Sequence, residues 1–111
     1  MMNWNEYFAG LMNNVGEFAR LAPETMRGMS ALGSAPARHL DPKIHELIAL
    51  SVAITTRCDG CIASHVQAAL KHGATREEIA EALGVAISLN AGAALTYTAR
   101  VFDAVSAFEK H

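Results

Sequence analysis

Almost every stretch of this chain spaces its apolar residues three and four apart between helix-capping residues, and no segment sustains the period-two alternation of a strand. The fold class expected is therefore all-α. Residues 3 to 29 put Tyr7, Phe8, Leu11, Met12, Val15, Phe18 and Ala19 on one stripe, with Pro23 interrupting the region or opening a second short helix. Gly33, Ser34 and Pro36 mark a connector from Ala31 to Pro42, and Asp41-Pro42 reads as an N-cap followed by proline at the first helical position. The helix starting there runs through Ile44, Leu47, Ile48, Leu50, Val52 and Ile54, apolar on most faces, and is expected to be central and buried. A restart around Thr56 to Cys58 leads into a helix through Ile62, Val66, Ala69 and Leu70, closed by Gly73 in the left-handed conformation. Thr75 and Glu78 form a capping-box pattern ahead of Ile79, Ala82, Leu83, Ala86 and Ile87. Asn90-Ala91-Gly92 is expected to mark a turn before a last helix from Ala93 to Phe108.

At 111 residues the chain is expected to form one undivided domain, spanning residues 1 to 111. Hydrophobic residues make up 51% of it and charged ones 18%, a balance apolar enough to point to an obligate oligomer. The net charge of -2 comes from dispersed groups and offers no patch for a phosphate backbone, so nucleic acid is not an expected partner. The N-terminal residues lack a basic targeting region, and the apolar stretch from Ile44 to Ile54 is short and broken by His45 and Glu46. A soluble cytoplasmic protein without membrane contact is the expectation. In a reducing compartment a close thiol pair is more often catalytic or metal-binding than a structural crosslink.

The only two cysteines stand as Cys58-Asp59-Gly60-Cys61, with His65 four residues beyond and Glu46 twelve residues before the first thiol. A lone C-x-x-C reads as a zinc half-site, a disulfide staple or a redox pair, and the thioredoxin reading needs a βαβ setting that is missing here. At the first turn of a helix both thiols feel unpaired N–H groups and the positive end of the helix dipole, which favour thiolate. Three residues apart on a helix, their Cα atoms stand roughly 5 to 5.5 Å apart, within the window a disulfide needs. His65 shares a face with Cys61, where its imidazole takes a proton from the thiol or gives one to a leaving oxygen, so Cys61 is the expected nucleophile. Glu46 is expected to orient His65 if the two helices pack antiparallel, as their short link implies. With a peroxide, Cys61 would become a sulfenic acid, Cys58 would condense with it to a disulfide, and an outside dithiol would reduce the pair. Gly60 is expected to leave the thiols sterically open on one side.

The same residues permit a thiol redox sensor or disulfide-exchange protein with little peroxide turnover. They also permit a zinc site of Cys58, Cys61 and His65 with Glu46 as fourth ligand. Structural zinc more often draws on two separated knuckles, and a packed helical domain of this size does not need metal to fold, so no metal or bound organic cofactor is expected. Read singly, the cysteines are small core residues, His65 a cap and Glu46 an exposed helix residue; their proximity weighs toward chemistry. His39, His45, His72 and His111 are expected to be solvated or capping, and Met12, Met26 and Met29 to fill the core. Trp4, Tyr7, Phe8 and Phe18 form a packing stripe.

Asp41-Pro42-Lys43, Glu46-Leu47-Ile48-Ala49-Leu50, Cys58-x-x-Cys61-x-x-x-His65 and the run from Gly73 to Ala82 together resemble the carboxymuconolactone decarboxylase family in its AhpD-like alkylhydroperoxidase branch. The resemblance covers about residues 38 to 105, with residues 1 to 37 as an N-terminal helical extension. It implies an all-helical fold, with the C-x-x-C at the start of a buried helix, assembled as homotrimers or homohexamers. It also implies a peroxidase acting on hydrogen peroxide or organic hydroperoxides, with Cys61 peroxidatic, Cys58 resolving and Glu46 and His65 a proton relay. AhpD itself carries a histidine immediately before its second cysteine, where this chain has Gly60, so one proton donor of that branch is missing. The family's true decarboxylases lack the cysteine pair.

Overall fold

The computed structural model describes residues 1 to 110; His111 lies outside the described residues. Five helices follow in order: α1 (Trp4–Leu21), α2 (Pro23–Gly33), α3 (Pro42–Thr56), α4 (Asp59–Lys71) and α5 (Arg76–Glu109). Among the described residues there is no strand, and the all-α expectation holds.

Local chemistry explains most boundaries. The Asn3 side chain accepts from the Glu6 N–H, and Pro23 occupies the first turn of α2, where a missing N–H costs nothing. Asp41 caps α3 by accepting from the Lys43 N–H at 2.8 Å, with Pro42 just inside. At the other end of α3, Arg57 adopts the left-handed conformation (φ 57°), and the Cys58 N–H donates back to the Ala53 carbonyl at 3.0 Å. A non-glycine residue there costs about 1 kcal/mol, and the turn it makes is tight enough to start α4 two residues later. Gly73 (φ 84°) repeats the device at the end of α4, with the Ala74 N–H donating to the Ala69 carbonyl at 2.9 Å. Thr75 and Glu78 then form the expected reciprocal capping box.

The sequence-based division of α5 is corrected. Asn90-Ala91-Gly92 makes no turn, and one helix of 34 residues runs through it. No proline interrupts residues 76 to 109, and a single glycine weakens a helix by only about 1 kcal/mol. Asn90 is also engaged within the helical geometry: its amide donates to the Ala86 carbonyl and to Thr55 Oγ1, each at 2.8 Å, tying α5 to α3.

The core lies where α3, α4 and the first half of α5 meet. Leu47, Leu50, Ala69 and Ala74 are buried there, with Val66, Ile79, Ala82 and Leu83 packed against them. Burying Leu50, 3% exposed, contributes about 1.5–3 kcal/mol. Lys43 Nζ donates to Glu78 Oε2 at 2.6 Å across α3 and α5; the bond raises the lysine's pKa and lowers the glutamate's, so each charge favours the other. α1 packs on α4 and on α2.

Much apolar surface is left uncovered by the chain itself. Ile48 and Val52 of α3, and Leu89, Leu95, Val101, Phe102 and Phe108 of α5, are all exposed. The radius of gyration is 19.0 Å, against about 13 Å for a compact chain of this length. The expectation that α3 is buried on most faces is met only on the side bearing Leu47, Leu50 and Ala53. By length and composition α5 is also long and apolar enough to cross a bilayer, with a mean hydropathy of 1.5 over its most apolar window. That feature lies outside the Ile44 to Ile54 stretch weighed in the sequence.

Candidate functional site

α3 and α4 are antiparallel neighbours because only Arg57 and Cys58 join them. The contacts that cross between them run from Ala53 with Cys58 at the turn to Glu46 with His65 two turns further on. Of the side chains that the sequence reading grouped, the structure joins Cys58 to Cys61 and, across the short link, Glu46 to His65.

Cys58 is the N-cap of α4, and its sulfur accepts from the Cys61 N–H at 3.0 Å. The Cys58 carbonyl accepts from the Ile62 N–H at 2.9 Å, closing the first turn of the helix. Cys58 and Cys61 are joined as a disulfide with Cα atoms 5.2 Å apart, at the separation expected of two residues on one helical turn. Both cysteines are half-buried. On reduction, the group that caps the helix is a sulfur facing unpaired backbone N–H groups, an environment that favours negative charge on Cys58.

One turn beyond Cys61, His65 Nδ1 lies 2.6 Å from Glu46 Oε2. The glutamate side chain is 15% exposed and the histidine 37%, so the carboxylate sits behind the ring and the imidazole retains a solvent edge. A carboxylate only accepts, so the bond holds the Nδ1 proton and leaves Nε2 of the neutral ring with its lone pair free. This is an orienting arrangement for a general base. Among the described residues no group of three metal-ligating side chains is found; the two sulfurs bond each other and Glu46 holds His65.

Gly60 requires a correction. Its open side is filled by α1: a β-carbon built on Gly60 would lie 2.7 Å from Leu11 Cδ2 and 3.9 Å from the Tyr7 hydroxyl. Tyr7 and Leu11, one turn apart, face the C-x-x-C turn, and Trp4 packs edge-on against Tyr7 at 5.9 Å. The helical stripe in the sequence contained both residues, but nothing in it named the glycine as their seat. His72 ends α4, its N–H donating to the Ala68 carbonyl, consistent with a capping role.

The sequence model of the carboxymuconolactone decarboxylase family matches residues 23–104. The chain belongs to the carboxymuconolactone decarboxylase family. It is 45% identical over 106 residues to an uncharacterised protein of Haemophilus influenzae, covering 94% of each. An uncharacterised protein of Cupriavidus necator is 36% identical over 85 residues, covering 74% of this chain and 71% of that one. The structure of this chain is similar to the crystal structure of a carboxymuconolactone decarboxylase family protein from Legionella pneumophila in its apo form. The two share a TM-score of 0.72 and 36% identity over 86% of this chain and 88% of that one. The resemblance drawn from Glu46, the C-x-x-C and His65 therefore holds for the family and its AhpD-like branch. Membership with a Cys58–Cys61 disulfide fits an AhpD-like redox function.

The Glu46 contact makes a prediction about His65 alone. Nitrogen-15 NMR of the ring should find the neutral form with the proton on Nδ1, and Glu46→Ala should shift the balance toward the Nε2-protonated form. A neutral ring protonated on Nε2 in the native chain would remove the base from the site.

Proposed function

We propose that this protein is a thiol-dependent peroxidase of the AhpD-like kind, reducing hydrogen peroxide or organic hydroperoxides. The observation that carries the reading is the C-x-x-C disulfide at a helix N-terminus with a carboxylate-oriented histidine one turn along the same helix. In the reduced protein His65 Nε2 takes the proton of the Cys61 thiol. The thiolate attacks the distal oxygen of the hydroperoxide; an S–O bond forms, the O–O bond breaks, and the departing alkoxide takes the proton from His65 as an alcohol. Cys58, its thiolate supported by the Cys61 N–H, then attacks the Cys61 sulfur. The S–S bond forms, the S–O bond breaks, and the departing hydroxide takes a proton from solvent to leave as water. A dithiol outside the chain returns the pair to the reduced state, and no bound organic cofactor takes part in these steps.

The partners of this reading are a peroxide, a dithiol reductant and further copies of the chain. The exposed apolar faces of α3 and α5, including the groove lined by Ile48, Val52, Val85 and Leu89, support assembly into a homotrimer or a homohexamer. The second half of α5 stands largely free of its own subunit, and a lone helix is marginal in water. Sedimentation velocity should give a multiple of three subunits, whereas a monomer at micromolar concentration would refute the assembly.

Activity is tested by single turnover. Fully reduced protein mixed with cumene hydroperoxide should lose both thiols, Cys61→Ser should lose none to disulfide, and His65→Ala should react about 100-fold more slowly. Thiols that survive peroxide but are oxidised readily by a small disulfide would replace the peroxidase with an exchange or sensor protein.

A further inference from the structure

α1 contributes no buried residue to the core, yet it is laid across α4 at one place, the glycine between the two cysteines. Leu11 occupies the space that any other residue at position 60 would fill, and the Tyr7 hydroxyl borders it at 3.9 Å. The Leu11 methyl group at 2.7 Å from the β-carbon position leaves no room for a side chain unless it moves. Gly60 is itself half-buried, although it lies in the first turn of a helix whose neighbours Asp59 and Ser64 are exposed. What shields the turn on that side is α1. His65, 37% exposed on the adjacent face, marks the side that α1 leaves open. The site therefore has one wall built by the N-terminal helix and one approach past the imidazole.

We propose that α1 is a cap on the thiol pair, and that Leu11 and Tyr7 are specificity-determining residues that limit the size of the molecule reaching Cys58 and Cys61. The wall is apolar at Leu11 and amphipathic at Tyr7, and Trp4 backs the tyrosine ring from one turn earlier. Small reagents pass along the open face; a bulky one needs the space that Leu11 and Tyr7 fill. The proposal rests on the reading of this pair as the reactive site, but its geometry is indifferent to whether the oxidant is a peroxide or a disulfide.

Alkylation of the reduced protein separates the two questions, because it involves no peroxide. The thiolate displaces iodide from the reagent, forming an S–C bond, with either iodoacetamide or its fluorescein conjugate as probe. In the unmodified protein iodoacetamide should react much faster than the conjugate. Leu11→Ala and Tyr7→Ala should each raise the conjugate's rate about tenfold while leaving iodoacetamide within about twofold. Gly60→Ala should unseat Leu11 and give the same gain, but should add nothing in a Leu11→Ala background. Far-UV circular dichroism checks that the helices persist, as expected for changes outside the core of Leu47, Leu50, Ala69 and Ala74. A conjugate-to-iodoacetamide ratio unmoved by Leu11→Ala, Tyr7→Ala and Gly60→Ala would overturn the cap. Size discrimination that responds to these variants in a chain whose thiols ignore cumene hydroperoxide would sustain the cap and sink the peroxidase.

Discussion

Two residues connect α3 to α4, and the shortness of that link sets where everything else in the site stands. With Arg57 held left-handed and the Cys58 N–H returned to Ala53, the chain reverses within one turn, and the two helices lie antiparallel. Cys58 thereby becomes the first cap of α4, which puts a sulfur where a helix has spare N–H groups. The same reversal brings Glu46 of the outgoing helix to His65 of the returning one. A longer loop would leave the carboxylate on a helix placed independently of the one that carries the imidazole and the thiols. Strain at one non-glycine residue thus accompanies a site whose parts are registered by backbone geometry.

The rest of the chain divides into a small core and a larger exposed apolar surface. The shared core beneath the site is small, built of leucine, alanine and a few partly buried aliphatic residues. The larger apolar surfaces, above all the outer half of α5, face outward. A chain so composed leaves much of its apolar surface exposed when it stands alone, the observation on which the proposed assembly rests. The Lys43–Glu78 bond and the Asn90–Thr55 bond hold α5 to α3 at two places, so the outer half of α5 projects from a fixed base.

Legibility in the sequence followed the range of the interaction. Asp41-Pro42, Gly73 and the Thr75/Glu78 box could be read because a cap is decided within four residues of itself. Glu46 and His65 could be paired because a short link leaves few ways for two helices to lie. Asn90-Gly92 was misread as a turn because its residues are turn-formers by propensity, while the bond that keeps Asn90 helical reaches to Thr55 on another helix. Gly60 reads as an opening for the same reason: what fills it is Leu11, far away along the chain.

The chemical claim at the centre is the division of roles between the two sulfurs. Cys58 Sγ accepts the Cys61 N–H, and His65 stands one turn beyond Cys61 with its Nδ1 on Glu46; the proposed division assigns the resolving role to Cys58 and the peroxidatic role to Cys61. Trapping the oxidised intermediate tests this directly. Reduced Cys58→Ser and Cys61→Ser proteins are each treated with hydrogen peroxide and dimedone, and the adduct is located by peptide mass spectrometry. A sulfenic acid trapped on Cys61 in the first variant, with none on Cys58 in the second, is the result expected. An adduct on Cys58 in the second with none on Cys61 in the first would contradict it.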